Sequence, residues 1–328
     1  MQAHNLPPTY IIGLGSQALA WAQNLQDSGV DFTVLLRSLD SKSSERCHKH
    51  NFQCGLLSDH KPQVSSIYLL LIPDSEHKNF LEQYSDKISK GSMIVYAHGQ
   101  SLSSLGLDKL FPDFHHSLLA PKSIASEVRK RYLSNAPLGA AYSVITSQRH
   151  TEEFEPHNAT LTLAKMIGIN QGPFPTSFKS ETHADLLSEQ GLLCSTIPYM
   201  AKLCFEKLIS QGIDEEVAYM ECWVELQLIT QALCQLGPQK FFEMISPAAL
   251  IGSEKAQKLL FDQEFQSKLD KLYTEIEDGT FNRELEQQCS PEALEDLRQK
   301  VTSRWVGSPL TKTHLKYGQN FFPSEIRS

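Results

Sequence analysis

No apolar run in this 328-residue chain is long enough to cross a bilayer. The longest beside a turn, IYLLLIP at 67–73, falls well short of the ~20 residues a spanning helix needs. Cations are not gathered either. Lys and Arg number 30 against 38 Asp and Glu, a formal net charge of −8. No long Lys/Arg run supplies a local phosphate-binding stripe, so a general nucleic-acid surface is excluded. Cysteine is sparse and shows no CxxC spacing. Seven thiols, an odd number, read as reduced side chains of a cytoplasmic protein rather than a disulfide framework. Cys47, His48, His50 and Cys54 form the one cluster of soft ligands, and their spacing fits no common zinc module. An exposed amphipathic helix after the second strand is the better reading. The opening residues, MQAHNLPPTY, lack the charged and apolar regions of a signal peptide.

What is present points to metal chemistry. Asp185 and Glu189 in SETHADLLSEQGLLC, and Glu221 and Glu225 in AYMECWVELQLI, are two acidic pairs at i,i+4 spacing in apolar helical stretches. Residues four apart share a helix face, where like charges repel. Carboxylates among Leu, Ile, Val and Trp are costly to bury without a partner. A hard divalent cation answers both objections, because Mg²⁺ takes carboxylate oxygens and neutralises them.

The first half alternates short apolar runs with helical stretches. Strands are expected at Thr9–Leu14, Phe32–Leu36, Ser66–Ile72, Met93–Tyr96, His115–Leu119 and Ala140–Ile145. Such alternation predicts an α/β Rossmann-type domain with a doubly wound, largely parallel sheet. From about Phe178 the strand signal stops and an all-α domain follows, with brief breaks at Ser210–Gly212, Leu236–Pro238 and Ser246–Gly252. A boundary near GPFPTSF divides the chain into 1–177, for the nucleotide, and 178–328, for substrate, metal and dimerisation. The tail after Ser308 reads as loosely ordered. The helical half is apolar on more than one face, so a second copy is its economical partner.

The first strand runs into Gly13-Leu14-Gly15-Ser16-Gln17-Ala18, a G-x-G-x-x-A dinucleotide fingerprint at the required strand-to-helix junction. Gly13 permits the tight turn, and Gly15 lets backbone approach a pyrophosphate. Ser16 and Gln17 open the helix whose N-terminus faces the phosphates, and Ala18 allows that helix to pack closely. After the second strand, Arg37 with Ser41 and Ser43 offers a cation and hydroxyls to a 2′-phosphate, favouring NADPH, while Asp40 works against it.

These segments together resemble ketol-acid reductoisomerase. GLGSQALAWAQNLQDSGVDFTVLLR is similar to that family's nucleotide-binding opening. YAHGQSL and APKSIASEVR are similar to its AHG and APKGPGxxVR segments. SETHADLLSEQGLLC is similar to ETxTDLFGEQxxLCGG, and AYMECWVELQLI to AYFExxHELKLI. ISPAALIG takes the place of a segment like SNTAEYG, and EIEDGTF matches nearly intact. The likeness runs in order from about residue 9 to 285, at a length suiting the short, class I form.

The resemblance implies conversion of a 2-acetolactate into a 2,3-dihydroxy acid in branched-chain amino-acid synthesis, with two Mg²⁺ ions and NADPH. It implies that Asp185 bridges both metals and Glu189 holds one. Glu221 and Glu225 reach the second metal and its waters, from a partner subunit. Lys122 joins the network around the metal waters, His98 lies near cofactor and substrate, and Ser246 hydrogen-bonds the substrate. Glu181 and Thr182 are given supporting parts around the metal. It also implies a homodimer with shared active sites and a knotted helical domain, an exception to the usual unthreaded topology.

Departures cluster around the site. The glycines after the lysine are Ser123, Ile124 and Ala125, and the Gly of DLFGEQ is Ser188. The Gly-Gly after the cysteine is Ser195-Thr196. Val224 and Gln227 replace a His and a Lys, and Pro247–Ile251 replaces a polar, Glu-containing turn. Three readings therefore stay open: a working ketol-acid reductoisomerase, a related magnesium-dependent reductase acting on another 2-keto or 2-hydroxy-keto acid, and a non-enzymatic nucleotide-binding descendant.

Overall fold

The protein is described here as a computed structural model covering residues 6–63, 65–149 and 154–322. Among the described residues eight strands, β1 (Thr9–Ile12), β2 (Phe32–Leu36), β3 (Cys54–Leu56), β4 (Ile67–Leu70), β5 (Met93–Tyr96), β6 (His115–Pro121), β7 (Gly139–Ile145) and β8 (Gln171–Pro175), form one sheet. Their order is β3-β2-β1-β4-β5-β6-β7-β8. Every neighbouring pair is parallel except β6 with β7. The winding reverses between β1 and β4, and in open α/β sheets ligands bind outside the carboxyl ends of the strands at such a reversal.

The strands of the middle read as unbroken apolar runs because both faces are covered. Ile67 and Leu69 of β4 join Ile11, Val34, Val95 and the helical Trp21 in one core. Tyr68 and Leu70 join Ile12, Leu35, Ile94 and Tyr96 in the other. Two strands were not foreseen. β3 is only Cys-Gly-Leu, and β8 is an edge strand, mostly exposed, with two prolines. Both fall outside the apolar pattern that marks a central strand.

The chain divides into two compact units, Met1–Ala184 and Asp185–Ser328, and the division falls inside the Phe178–Ser188 helix. Among its described residues the second unit is helical throughout. Three of its helices start on a Ser-Pro pair: a serine hydroxyl accepts a first-turn amide, and proline, which has no N–H to strand, takes the next position. Ser246 Oγ accepts from the Ala249 amide at 3.2 Å, Ser290 from Ala293 at 3.1 Å and Ser308 from Thr311 at 3.2 Å. Two expectations are corrected by these starts. The chain from Ser246 to Gly252 is the start of the Pro247–Leu260 helix rather than a break, and the tail continues as the Pro309–Phe321 helix rather than loosely. That last helix contributes Leu310 to a small core with Phe205, Ala218 and Tyr219. No helix among the described residues is long and apolar enough to cross a membrane.

Candidate active site

At the reversal point β1 runs into Gly13, whose φ of +74° is open to glycine and strained for other residues. Its amide donates to Leu35 O at 3.0 Å, tying the turn to β2. A Cβ there would also lie 2.9 Å from Ile72 Cγ2, whereas one at Gly15 would meet nothing within 4 Å. Gly15 caps the Ser16–Asp27 helix without any side-chain bond to the first-turn amides. Those amides stand ready for an anion, the usual use of a helix start at this position. Ser16 and Gln17 form that first turn.

Gly13, Gly15, Arg37, Ser41 and Ser43 line one cleft of about 390 Å³, as expected of a nucleotide site. Ser41 also starts the Lys42–His50 helix, accepting from the Ser44 amide at 3.3 Å and donating to Ser38 O at 3.1 Å. Arg37 lies 3.8 Å from Glu76, another wall of the cleft. Arg46, which no motif singles out, donates to Leu14 O at 2.9 Å and braces the glycine turn. The nearby Cys47 thiol is pushed up to about 12 by burial and by Cys54, so it is inert. Among the described residues no metal-sized group includes Cys47, His48, His50 or Cys54.

Farther along the same carboxyl edge, β5 delivers His98 and Gly99, β6 delivers Lys122, and the loop after β4 delivers Asp74. The Phe178–Ser188 helix is fixed over them by Phe178, which packs in the core edge-on to Tyr96 at 6.2 Å. It approaches so closely at Gly99 that a Cβ there would lie 2.7 Å from Phe178 O and 2.8 Å from both Glu181 Oε2 and Thr182 Oγ1. Glu181, whose side chain is 1 % exposed, accepts from the Gly99 amide at 2.8 Å and from Lys122 Nζ at 2.6 Å. A buried carboxylate needs such partners, and charge-assisted bonds are the strong ones.

His98 bridges two acids, with Nε2 3.9 Å from Glu181 Oε2 and Nδ1 4.0 Å from Asp74 Oδ1. Behind it His77 donates from Nε2 to Ile72 O at 3.0 Å, so its Nδ1 accepts from Ser101 Oγ at 2.6 Å. Burial holds His77 below the usual histidine range, against the pull of Asp74. Asp185 follows one turn after Glu181 on the same helix. The ligand atoms of His98, Glu181 and Asp185 lie within 4.8 Å of one another. Two carboxylates and an imidazole that close suit a small divalent cation and its waters.

Two family descriptions match the chain. One, acetohydroxy acid isomeroreductase, NADPH-binding domain, covers residues 8–172; the other, ketol-acid reductoisomerase, C-terminal domain, covers 178–313. The chain is 30% identical over 321 residues to a ketol-acid reductoisomerase (NADP(+)) of Corynebacterium aurimucosum, spanning 92% of this chain and 93% of that protein. The chain belongs to the ketol-acid reductoisomerase family. Membership makes it an NADP-linked oxidoreductase of the isomeroreductase type. Among solved structures, an NADH-preferring ketol-acid reductoisomerase from an uncultured archean shares the fold with a TM-score of 0.80 at 22% identity, covering 96% of this chain and 95% of that one. A semialdehyde dehydrogenase NAD-binding protein from Cupriavidus necator does so at 0.61 and 15% identity, covering 83% and 99%.

Within this reductoisomerase fold the other acids behave differently from the sequence argument. Glu189, Glu221 and Glu225 are exposed in the single chain, so the premise that all four carboxylates are desolvated holds for none of these three. Among the described residues they also stand outside the group made by His98, Glu181 and Asp185. Both acidic pairs border a π-helical turn, Glu189–Leu193 and Met220–Val224, a rare form that is frequent at functional sites. The departures Ser195 and Thr196 serve the first of these turns. Ser195 Oγ donates to Gln190 O and Thr196 Oγ1 to Gly191 O, the latter at 2.6 Å. Glu181, given only a supporting part from the sequence, is buried and bonded to both the Gly99 amide and Lys122. No local signal distinguished it, since its partners come from β5 and β6.

Proposed function

We propose that this protein is a Mg²⁺-dependent, NADPH-linked ketol-acid reductoisomerase that converts 2-acetolactate-type substrates to 2,3-dihydroxy acids in branched-chain amino-acid synthesis. The observation that carries the reading is the Lys122–Glu181–His98 cluster with Asp185, on the same sheet edge as the glycine turn. Asp185 and Glu189 are the ligands this chain offers to the metals. Glu221 and Glu225 complete the set from a second copy, which also accounts for exposed apolar side chains such as Leu228, Ile229 and Met220. When bound, two Mg²⁺ ions supply Lewis acidity to neighbouring oxygens of the substrate.

Lys122 then holds a proton beside the reacting oxygens, with Glu181 fixing its Nζ. His98 orients the substrate against the nicotinamide. Ser246 keeps its hydroxyl proton for the substrate, because its oxygen, not its O–H, is used in the helix cap. Arg37, Ser41 and Ser43 receive the 2′-phosphate. The enzyme works in the cytoplasm.

A second reading, another 2-keto or 2-hydroxy-keto acid as substrate, is favoured by the apolar side chains Ile124 and Ile251, each more than two-thirds exposed where the family's segments carry glycine or polar residues. No observation at the site favours a non-enzymatic descendant. NADPH oxidation with 2-acetolactate and Mg²⁺, beside Asp185→Asn and a Mg²⁺-free blank, decides between them. Magnesium-dependent turnover lost in the variant supports the reductoisomerase. Tight NADPH binding without turnover moves the assignment to another substrate.

A further inference from the structure

The Pro309–Phe321 helix lies mostly beyond the family's C-terminal match, which ends at 313. It packs on the short Glu215–Tyr219 helix, which runs directly into the π turn carrying Glu221. Thr313 donates to Glu215 and Tyr317 to Glu216, and Lys316 lies 3.8 Å from Glu216. Tyr219, wholly buried, shares a 2.8 Å hydrogen bond with His314 Nδ1. The His314 ring meets Trp223 of the π turn edge-on at 6.2 Å, and Gly318 is pressed so close that a Cβ would lie 2.8 Å from that ring. Cys222, Trp223 and Val224, the stretch between the two glutamates, pack against the core that holds Leu310, while Glu221 and Glu225 remain exposed.

We propose that the terminal helix, acting through His314 on Tyr219 and Trp223, is a positioning element for Glu221 and Glu225. This role rests on the reading of these glutamates as metal ligands. Two like charges one turn apart repel, and a π turn persists where tertiary contacts hold it. Here the contacts come from the Thr196–Ser210 helix and, through His314 and Trp223, from the terminal helix, while Glu221 and Glu225 stay exposed to a cation. His314, Tyr219 and Gly318 thus set the ligand geometry without touching the metal.

The test uses Mn²⁺ as the probe, bound to the full-length protein without substrate and followed by the loss of free-ion electron paramagnetic resonance. His314→Ala should raise the Mn²⁺ dissociation constant about tenfold, the low end for residues that orient metal ligands. His314→Asn, which keeps a polar group for Tyr219, should recover most of it, and NADPH binding should not move. Should His314→Ala fold poorly, Tyr219→Phe removes the same bond and keeps the ring. A lowered melting temperature with unchanged Mn²⁺ affinity makes the helix merely structural and overturns the proposal. Glu221→Gln separates the two levels. If it leaves Mn²⁺ binding intact, the ligand reading falls and the proposal with it. If it weakens binding while the His314 and Tyr219 variants do not, only the proposal falls.

Discussion

Lys122 Nζ lies 2.6 Å from Oε1 of Glu181, and the lysine is 43 % exposed while the glutamate side chain is 1 % exposed. The carboxylate is therefore shielded from solvent, and the ammonium beside it is half exposed. Glu181→Gln should keep the Gly99 bond through its amide oxygen but lose the charge that holds Lys122. We expect kcat to fall about 100-fold, in the range of a lost proton-transfer partner, with NADPH affinity unchanged. A loss confined to KM in steady-state kinetics would refute this assignment.

Gly99 is where the Phe178–Ser188 helix comes closest to the sheet edge. Gly99→Ala places a methyl against Phe178 O, a backbone atom that cannot step aside. The variant should lose about 1–3 kcal/mol of stability, as overpacked sites do, and turnover should drop with it. Urea denaturation read beside activity checks both. An alanine tolerated without cost would mean that the helix sits farther from the edge.

The two glycines of the nucleotide turn should separate by experiment. Gly13→Ala meets both the +74° φ and Ile72, so it should lower the melting temperature as well as NADPH binding. Gly15→Ala has room and an ordinary φ, so the melting temperature should hold while the KM for NADPH rises at least about tenfold, because the methyl blocks close approach of phosphate. Thermal unfolding and NADPH titration on the two proteins suffice.

Burial pushes His116 below its ordinary value of 6.5, as it does His77. His116 donates from Nε2 to Phe111 O at 3.1 Å and accepts from Tyr96 OH at 2.9 Å, a pattern that only the neutral ring satisfies. The unfolded chain takes up protons near 6.5 and the folded chain does not. The stabilisation is thus complete above that pH and is lost as pH falls through the depressed folded value, by up to about 1.4 kcal/mol per pH unit per histidine. The urea midpoint should decline between pH 7 and pH 5, and His116→Gln should flatten the decline. An equal slope in the variant would exclude His116 as a source.

Much of this was legible in the sequence, for reasons that differ by element. β4 announced itself through IYLLL because both of its faces are buried, and Gly13-Leu14-Gly15 because a turn geometry dictates its residues. β3 and β8 were illegible, since an edge strand needs no apolar pattern. The terminal helix was missed although Ser308-Pro309 is the same start signal as Ser246-Pro247; its sparse apolar content hid it. At the candidate site the residues differ in the same way. Asp185 stood out through its spacing, while the partners of Glu181 are brought from strands 59 and 82 residues away.

The π turn at Met220–Val224 amounts to an α-helix that has accepted one extra residue. Each α-helical residue advances about 100° around the axis. Deleting Cys222, Trp223 or Val224 would let the turn relax to an α-helix and shorten the spacing of Glu221 and Glu225 from four residues to three, on one face still but at a changed angle. In this stretch chain length is itself a geometric quantity: a point substitution keeps the spacing of the two glutamates, and a single-codon deletion between them does not.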